Sequence, residues 1–73
     1  MKILVTGATG FIGQNLVKVL LDKNYEVHCI VRVDSNTSNI NQNITIFKYD
    51  ENVGSLIDYF NEQKFDGVIH LAS

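Results

Sequence analysis

Apolar and polar positions along this chain fall into two kinds of block: short runs rich in sheet-forming residues, and longer stretches with helical spacing. Ile3, Leu4 and Val5 form an apolar run that predicts a strand buried on both faces. Further on, Ile12, Leu16, Val17, Leu20 and Leu21 share one helical face, with Gln14, Lys18 and Asp22 mostly away from it. Asn24 suits a left-handed cap that ends this helix. Residues 25–31 (YEVHCIV) predict a second strand. Residues 34–43 (DSNTSNINQN) have little apolar periodicity and read as a loop, or at most a short ragged helix. Residues 44–49 (ITIFKY) predict a third strand. Leu56, Ile57, Tyr59 and Phe60 then mark a second helix, capped by Asn52 or Asp50 and running to about Lys64. Residues 65–72 (FDGVIHLA) predict a fourth strand.

Strands that alternate with helices imply right-handed crossovers and a parallel sheet. The expected class is therefore α/β, a partial Rossmann fold with four parallel strands in the order 3-2-1-4 and flanking helices. That order puts a switch point between the first and fourth strands, where the crevice beyond the carboxyl ends takes a ligand. The turn after the first strand and residues 71–73 converge on this crevice.

The first turn carries its own chemistry. Gly7, Gly10 and Gly13 follow the strand at intervals of three residues and lead into the helical pattern. Strand, glycine turn and helix are the context of a dinucleotide-binding fingerprint. Gly7 lets the chain turn sharply off the strand. Gly10 removes the Cβ that would hold a pyrophosphate away from the loop amides, and Gly13 allows the helix to approach the strand. The free N–H groups at the helix start then face the phosphates. A P-loop needs Gly-Lys-Ser/Thr, but Gly13 is followed by Gln14 and Asn15, which sets that alternative aside.

Composition narrows the rest. Seventy-three residues make one small domain at most, and 45% hydrophobic with 19% charged content fits a globular chain. The formal net charge of −2 gives no basic surface for nucleic acid or an anionic membrane. No apolar run approaches membrane-spanning length, and the start, MKILVTG, lacks a signal-peptide core, so the expected location is cytoplasmic. The one cysteine, Cys29, lies in a strand-like run and reads as a buried small hydrophobe.

The octet TGATGFIG at residues 6–13, Asp50 after the third strand and the run VIHLA at residues 68–72 resemble the extended short-chain dehydrogenase/reductases, the NAD-dependent epimerase/dehydratases. The resemblance covers essentially the whole chain but only the first part of such an enzyme. It implies that residues 1–73 are the N-terminal part of an NAD(P)-binding Rossmann domain, without the catalytic and substrate parts. By that resemblance Gly7, Gly10, Phe11, Ile12 and Gly13 lie along the pyrophosphate. Asp50 accepts from the adenine amino group, with a helix cap as its plainer role. Leu71 and Ala72 pass beneath the ribose, and His70 is a strand residue satisfied by its neighbours.

The end of the second strand decides between NAD and NADP: a carboxylate there bonds the 2′-hydroxyl, whereas an arginine pairs with a 2′-phosphate. Alignment with the family puts Val31 where NAD-type members carry the acid, with Arg32 next and Asp34 already in the polar loop. NADP is thus favoured over NAD. The family's Tyr-x-x-x-Lys pair is not present: none of Tyr25, Tyr49 and Tyr59 has a lysine four residues on, and Tyr59 has Gln63 there. The implied function is the NAD(P)-binding segment of a sugar-nucleotide epimerase, dehydratase or reductase, not catalytic alone. The alternative is a non-catalytic dinucleotide-binding sensor or interaction module. The sugar nucleotide belongs to the full-length protein, and the uncovered sheet edge predicts self-association of this chain.

Overall fold

The computed structural model describes residues 1–7, 10–34, 36–38 and 40–71. Its elements are β1 (Lys2–Thr6), α1 (Phe11–Asp22), β2 (Glu26–Arg32), β3 (Thr45–Tyr49), α2 (Val53–Gln63) and β4 (Gly67–His70). The four strands form one parallel sheet in the order β3-β2-β1-β4. β1 is central, paired on one side with β2 (Val5 opposite Cys29) and on the other with β4 (Val5 opposite Ile69).

Alternation along the strands gives the sheet two unlike faces. Ile3, Val5, Val27, Cys29 and Val31 point to the α1 side and close a core with Val17 and Leu20 of the helix and Ile40 of the β2–β3 connection. Val5 and Cys29 are completely buried. Burial of this kind stabilises by roughly 1.5–3 kcal/mol per aliphatic side chain. The opposite face carries aromatic and polar groups. His28 is only 4% exposed. Its Nδ1 meets the Tyr59 hydroxyl at 2.6 Å and its Nε2 meets Glu26 Oε2 at 2.5 Å, so both ring nitrogens are satisfied. Tyr59 stacks on Phe47 at a centroid distance of 4.3 Å, and Phe65 sets its edge against His28 at 5.2 Å. Lys2 Nζ lies 3.7 Å from Glu26 and donates to the Gln63 carbonyl at 2.8 Å, tying the end of α2 to the sheet.

Several boundaries and one face differ from the sequence expectation. Ile12 was expected on the buried face of α1, yet it is 71% exposed. The buried stripe runs through Gly13, Val17 and Leu20, and one residue step turns a helix by about 100°. Ile12 therefore joins Phe11, Leu16 and Val19 on an apolar flank beside that stripe, where Phe11 is 82% exposed. β2 extends one residue beyond the expected strand, because Arg32 still pairs with Tyr49 of β3. The fourth strand is shorter than expected, and the predicted contributions of Ala72 and Ser73 lie outside the described residues. The β2–β3 connection shows no helix among its described residues. Asn36 and Asn41 each accept from the backbone N–H two residues on, at 3.0 and 2.9 Å, and these side-chain turns compete with helix. Asn24 does take the left-handed conformation after α1, with φ of 64°. Asn52, not Asp50, caps α2: its side chain accepts from the Ser55 N–H at 3.2 Å.

Candidate functional site at the carboxyl ends of the strands

The turn between β1 and α1 is shaped by two glycines with different constraints. Gly7 sits at φ +78°, a left-handed conformation that a side chain strains. A Cβ there would also lie 2.6 Å from the Leu71 carbonyl oxygen, immediately after β4. The turn and the end of β4 are thus in direct contact, and the Leu71 N–H donates to the Thr6 carbonyl at 3.1 Å. Beside this contact Thr6 Oγ1 hydrogen-bonds His70 Nδ1, so the histidine is satisfied by its cross-strand neighbour.

Gly10 is different. It has an ordinary extended backbone, and among the described residues a Cβ on it would meet the Gly7 carbonyl, at 3.8 Å. Gly10 is the N-cap of α1, and among the described residues no side-chain hydrogen bond caps the helix and no acid lies in its first turn. Amide groups and the positive end of a helix dipole at such a start favour an anion. Phe11 and Ile12 begin the helix with exposed side chains, and Gly13 is buried on its inner face. These residues fit a pyrophosphate through backbone groups, with the bulk excluded by the glycines.

A charged cluster stands at the carboxyl end of β2. Arg32, the last residue of β2, has Nη2 at 3.1 Å from Glu51 Oε1 and Nε at 3.6 Å from Asp34 Oδ1. Glu51 reaches it from the turn after β3, where its backbone is left-handed with φ of 70°. Asp50, next to it, is exposed, and its Oδ1 accepts from the Asn52 N–H at 3.1 Å. Two carboxylates, Asp34 and Glu51, thus flank one guanidinium. Glu51 and Thr6 were not among the site residues read from the sequence. Glu51 could have been found from the strand order, since Arg32 stands opposite Tyr49 and the chain turns two residues later.

Neither of the two thiol or metal chemistries is available here. Cys29 lies inside the α1 face, and burial pushes its thiol up to about 11. Among the described residues no group of His, Cys, Asp and Glu could hold a metal ion, and no helix is long and apolar enough to cross a membrane.

Comparison with known proteins places this geometry. A Synechocystis sp. protein described as a dihydroflavonol 4-reductase is 42% identical over 72 residues, covering 94% of this chain and 20% of its own length. The UDP-glucose 4-epimerase of Thermotoga maritima, solved with UDP-glucose, superposes with a TM-score of 0.85 at 32% identity, over 100% of this chain and 24% of that one. The Thermus thermophilus UDP-glucose 4-epimerase, solved with NAD, gives 0.83 at 29% identity, again over 100% and 24%. The chain spans between a fifth and a quarter of the length of these relatives. The profile of the NAD dependent epimerase/dehydratase family matches residues 3–73, and this chain belongs to that family.

Proposed function

We propose that this chain is the N-terminal, dinucleotide-binding part of an NAD(P)-dependent oxidoreductase that epimerises, dehydrates or reduces a sugar nucleotide or similar substrate in the cytoplasm. The observation that carries the reading is the pair of glycines. Gly7 is required by the fold through its left-handed backbone and its contact with Leu71, whereas Gly10 has an ordinary backbone and, among the described residues, no close neighbour for a Cβ at the helix start. In this reading the amides of the turn and of Phe11, Ile12 and Gly13 hold the pyrophosphate, Asp50 takes the adenine amino group, and Leu71 with Ala72 passes beneath the ribose. Arg32 supports NADP over NAD, because a guanidinium pairs with a 2′-phosphate in bidentate geometry. The bound dinucleotide would supply hydride transfer, while this chain's residues bind and orient it. No tyrosine of the chain has a lysine four residues on, so the residues on this chain bind without catalysing.

Calorimetric titration with NADH and NADPH tests this. Binding is expected, and Gly10→Ala should weaken it roughly tenfold, the equivalent of about 1.4 kcal/mol, while leaving the melting temperature unchanged. Full binding by Gly10→Ala would remove the turn from the site. Arg32→Ala should weaken NADPH more than NADH, and equal losses would discard the NADP preference. The exposed edge of β4 and the flank of Phe11, Ile12 and Val19 further support self-association of the chain, with Val68 on β4 51% exposed. Light scattering at high concentration should give a mass above the monomer, and a clean monomer would dismiss it.

A further inference from the structure

We infer that Glu51 is a positioning residue that sets the cofactor choice by competing with the 2′-phosphate for Arg32. This rests on the dinucleotide reading above. The end of β2 is where the adenosine ribose of a bound dinucleotide is recognised in this kind of fold. Arg32 stands there, and its outer nitrogen Nη2, one of those a phosphate would engage, is already 3.1 Å from Glu51. Asp34, two residues further along the chain, approaches the inner Nε at 3.6 Å. A phosphate that takes Nη2 of Arg32 displaces Glu51 and then shares the site with the carboxylates of Glu51 and Asp34. A 2′-hydroxyl meets no such conflict, since it carries no charge and a carboxylate can accept from it.

The competition is of a size that tunes and does not block. Arg32, Asp34 and Glu51 have side chains 68%, 77% and 71% exposed, and pairs this open are weak and screened by salt. Glu51 also holds a left-handed backbone without being glycine, so its side chain is delivered to Arg32 from a turn that disfavours such residues.

The test is calorimetric titration of the chain and of Glu51→Gln with NADPH and NADH at low salt, with melting temperatures measured alongside. Glu51→Gln should tighten NADPH roughly fivefold and leave NADH within about twofold, at unchanged melting temperature. The gain should shrink near 1 M salt, where the screening length is about 3 Å. It should vanish when Glu51→Gln is made in an Arg32→Ala background, because the effect passes through the guanidinium. An unchanged NADPH-to-NADH ratio in Glu51→Gln, or a gain that persists without Arg32, would overturn the inference while leaving dinucleotide binding intact. Failure of the unaltered chain to bind either dinucleotide would overturn the dinucleotide reading, and this inference with it.

Discussion

The two faces of the sheet are held by different physics. On the α1 side, aliphatic residues from two strands and a helix exclude water, and the helix contributes Gly13, Val17 and Leu20 to a sealed layer. On the α2 side no residue of the helix is fully buried. Attachment there depends on a short chain of specific contacts, Lys2 to Glu26 to His28 to Tyr59, with Phe47 and Phe65 packed around the two rings. The first face is non-directional and follows area. The second is directional, so that each group matters only while its partner is in place. A sheet can thus be secured on one side by pattern alone and on the other by chemistry.

The sharpest way to break the contrast is to place the same charge on each side. Val27→Asp puts an unpaired carboxylate at a position 1% exposed, and should remove most of a folding stability that a chain of this size holds at roughly 4–11 kcal/mol. Ile57→Asp, on the outer side of α2 at 53% exposure, should change stability by no more than about 0.5 kcal/mol. Thermal melting followed by circular dichroism reads both. Equal effects would mean that the faces are not as unlike as their burial.

The next effect is a pH dependence confined to the sealed face. Burial raises the Cys29 thiol from 9.0 to about 11. Above pH 9 the unfolded chain loses this proton and the folded chain keeps it, so stability falls as pH rises towards 11. The loss should total about 2 to 3 kcal/mol across that window. Cys29→Ala is less stable than the parent at pH 8, but urea titrations should show the gap closing or reversing by pH 10.5. A constant gap would place the thiol in contact with water.

The smallest effect belongs to the directional side. Tyr59→Phe deletes one partner of His28 while keeping the ring against Phe47, and should cost about 0.5–1.5 kcal/mol in urea unfolding. No change would assign the attachment of α2 to ring packing alone. Burial also raises the Tyr59 phenol above its ordinary value, which keeps it in the neutral form that can share a proton with His28.

The contrast also explains what the sequence disclosed. Strand order, the left-handed Asn24, the buried Cys29 and the Gly7 turn all follow from local rules: alternating element types, cap chemistry and glycine spacing. The aliphatic face was legible for the same reason, since period and apolarity determine it. Ile12 was misplaced because an apolar residue at the margin of a helical stripe satisfies the pattern whether it faces the core or not. Ile40 was passed over because it stands alone among polar residues, although it closes the core from the β2–β3 connection. His28 gave no local signal, as its partners lie two and thirty-one residues away. The same holds for Arg32 and Glu51, nineteen residues apart, whose meeting depends on the register of β2 and β3. Composition locates charges but not their partners.

The contact between the Gly7 turn and Leu71 carries a consequence for the order of folding. The glycine turn is among the first residues of the chain, yet it closes against a strand whose Thr6–His70 link spans sixty-four residues. Closing so long a loop costs entropy before any contact compensates it, whereas β1, α1 and β2 are neighbours and can associate early. We expect the glycine turn to be completed only after β4 docks. Pulse-labelled hydrogen exchange would show it as protection of the Leu71 amide later than that of β2, and simultaneous protection would refute it. On a ribosome, the glycine turn would then wait for the later-made β4 before the crevice has its shape.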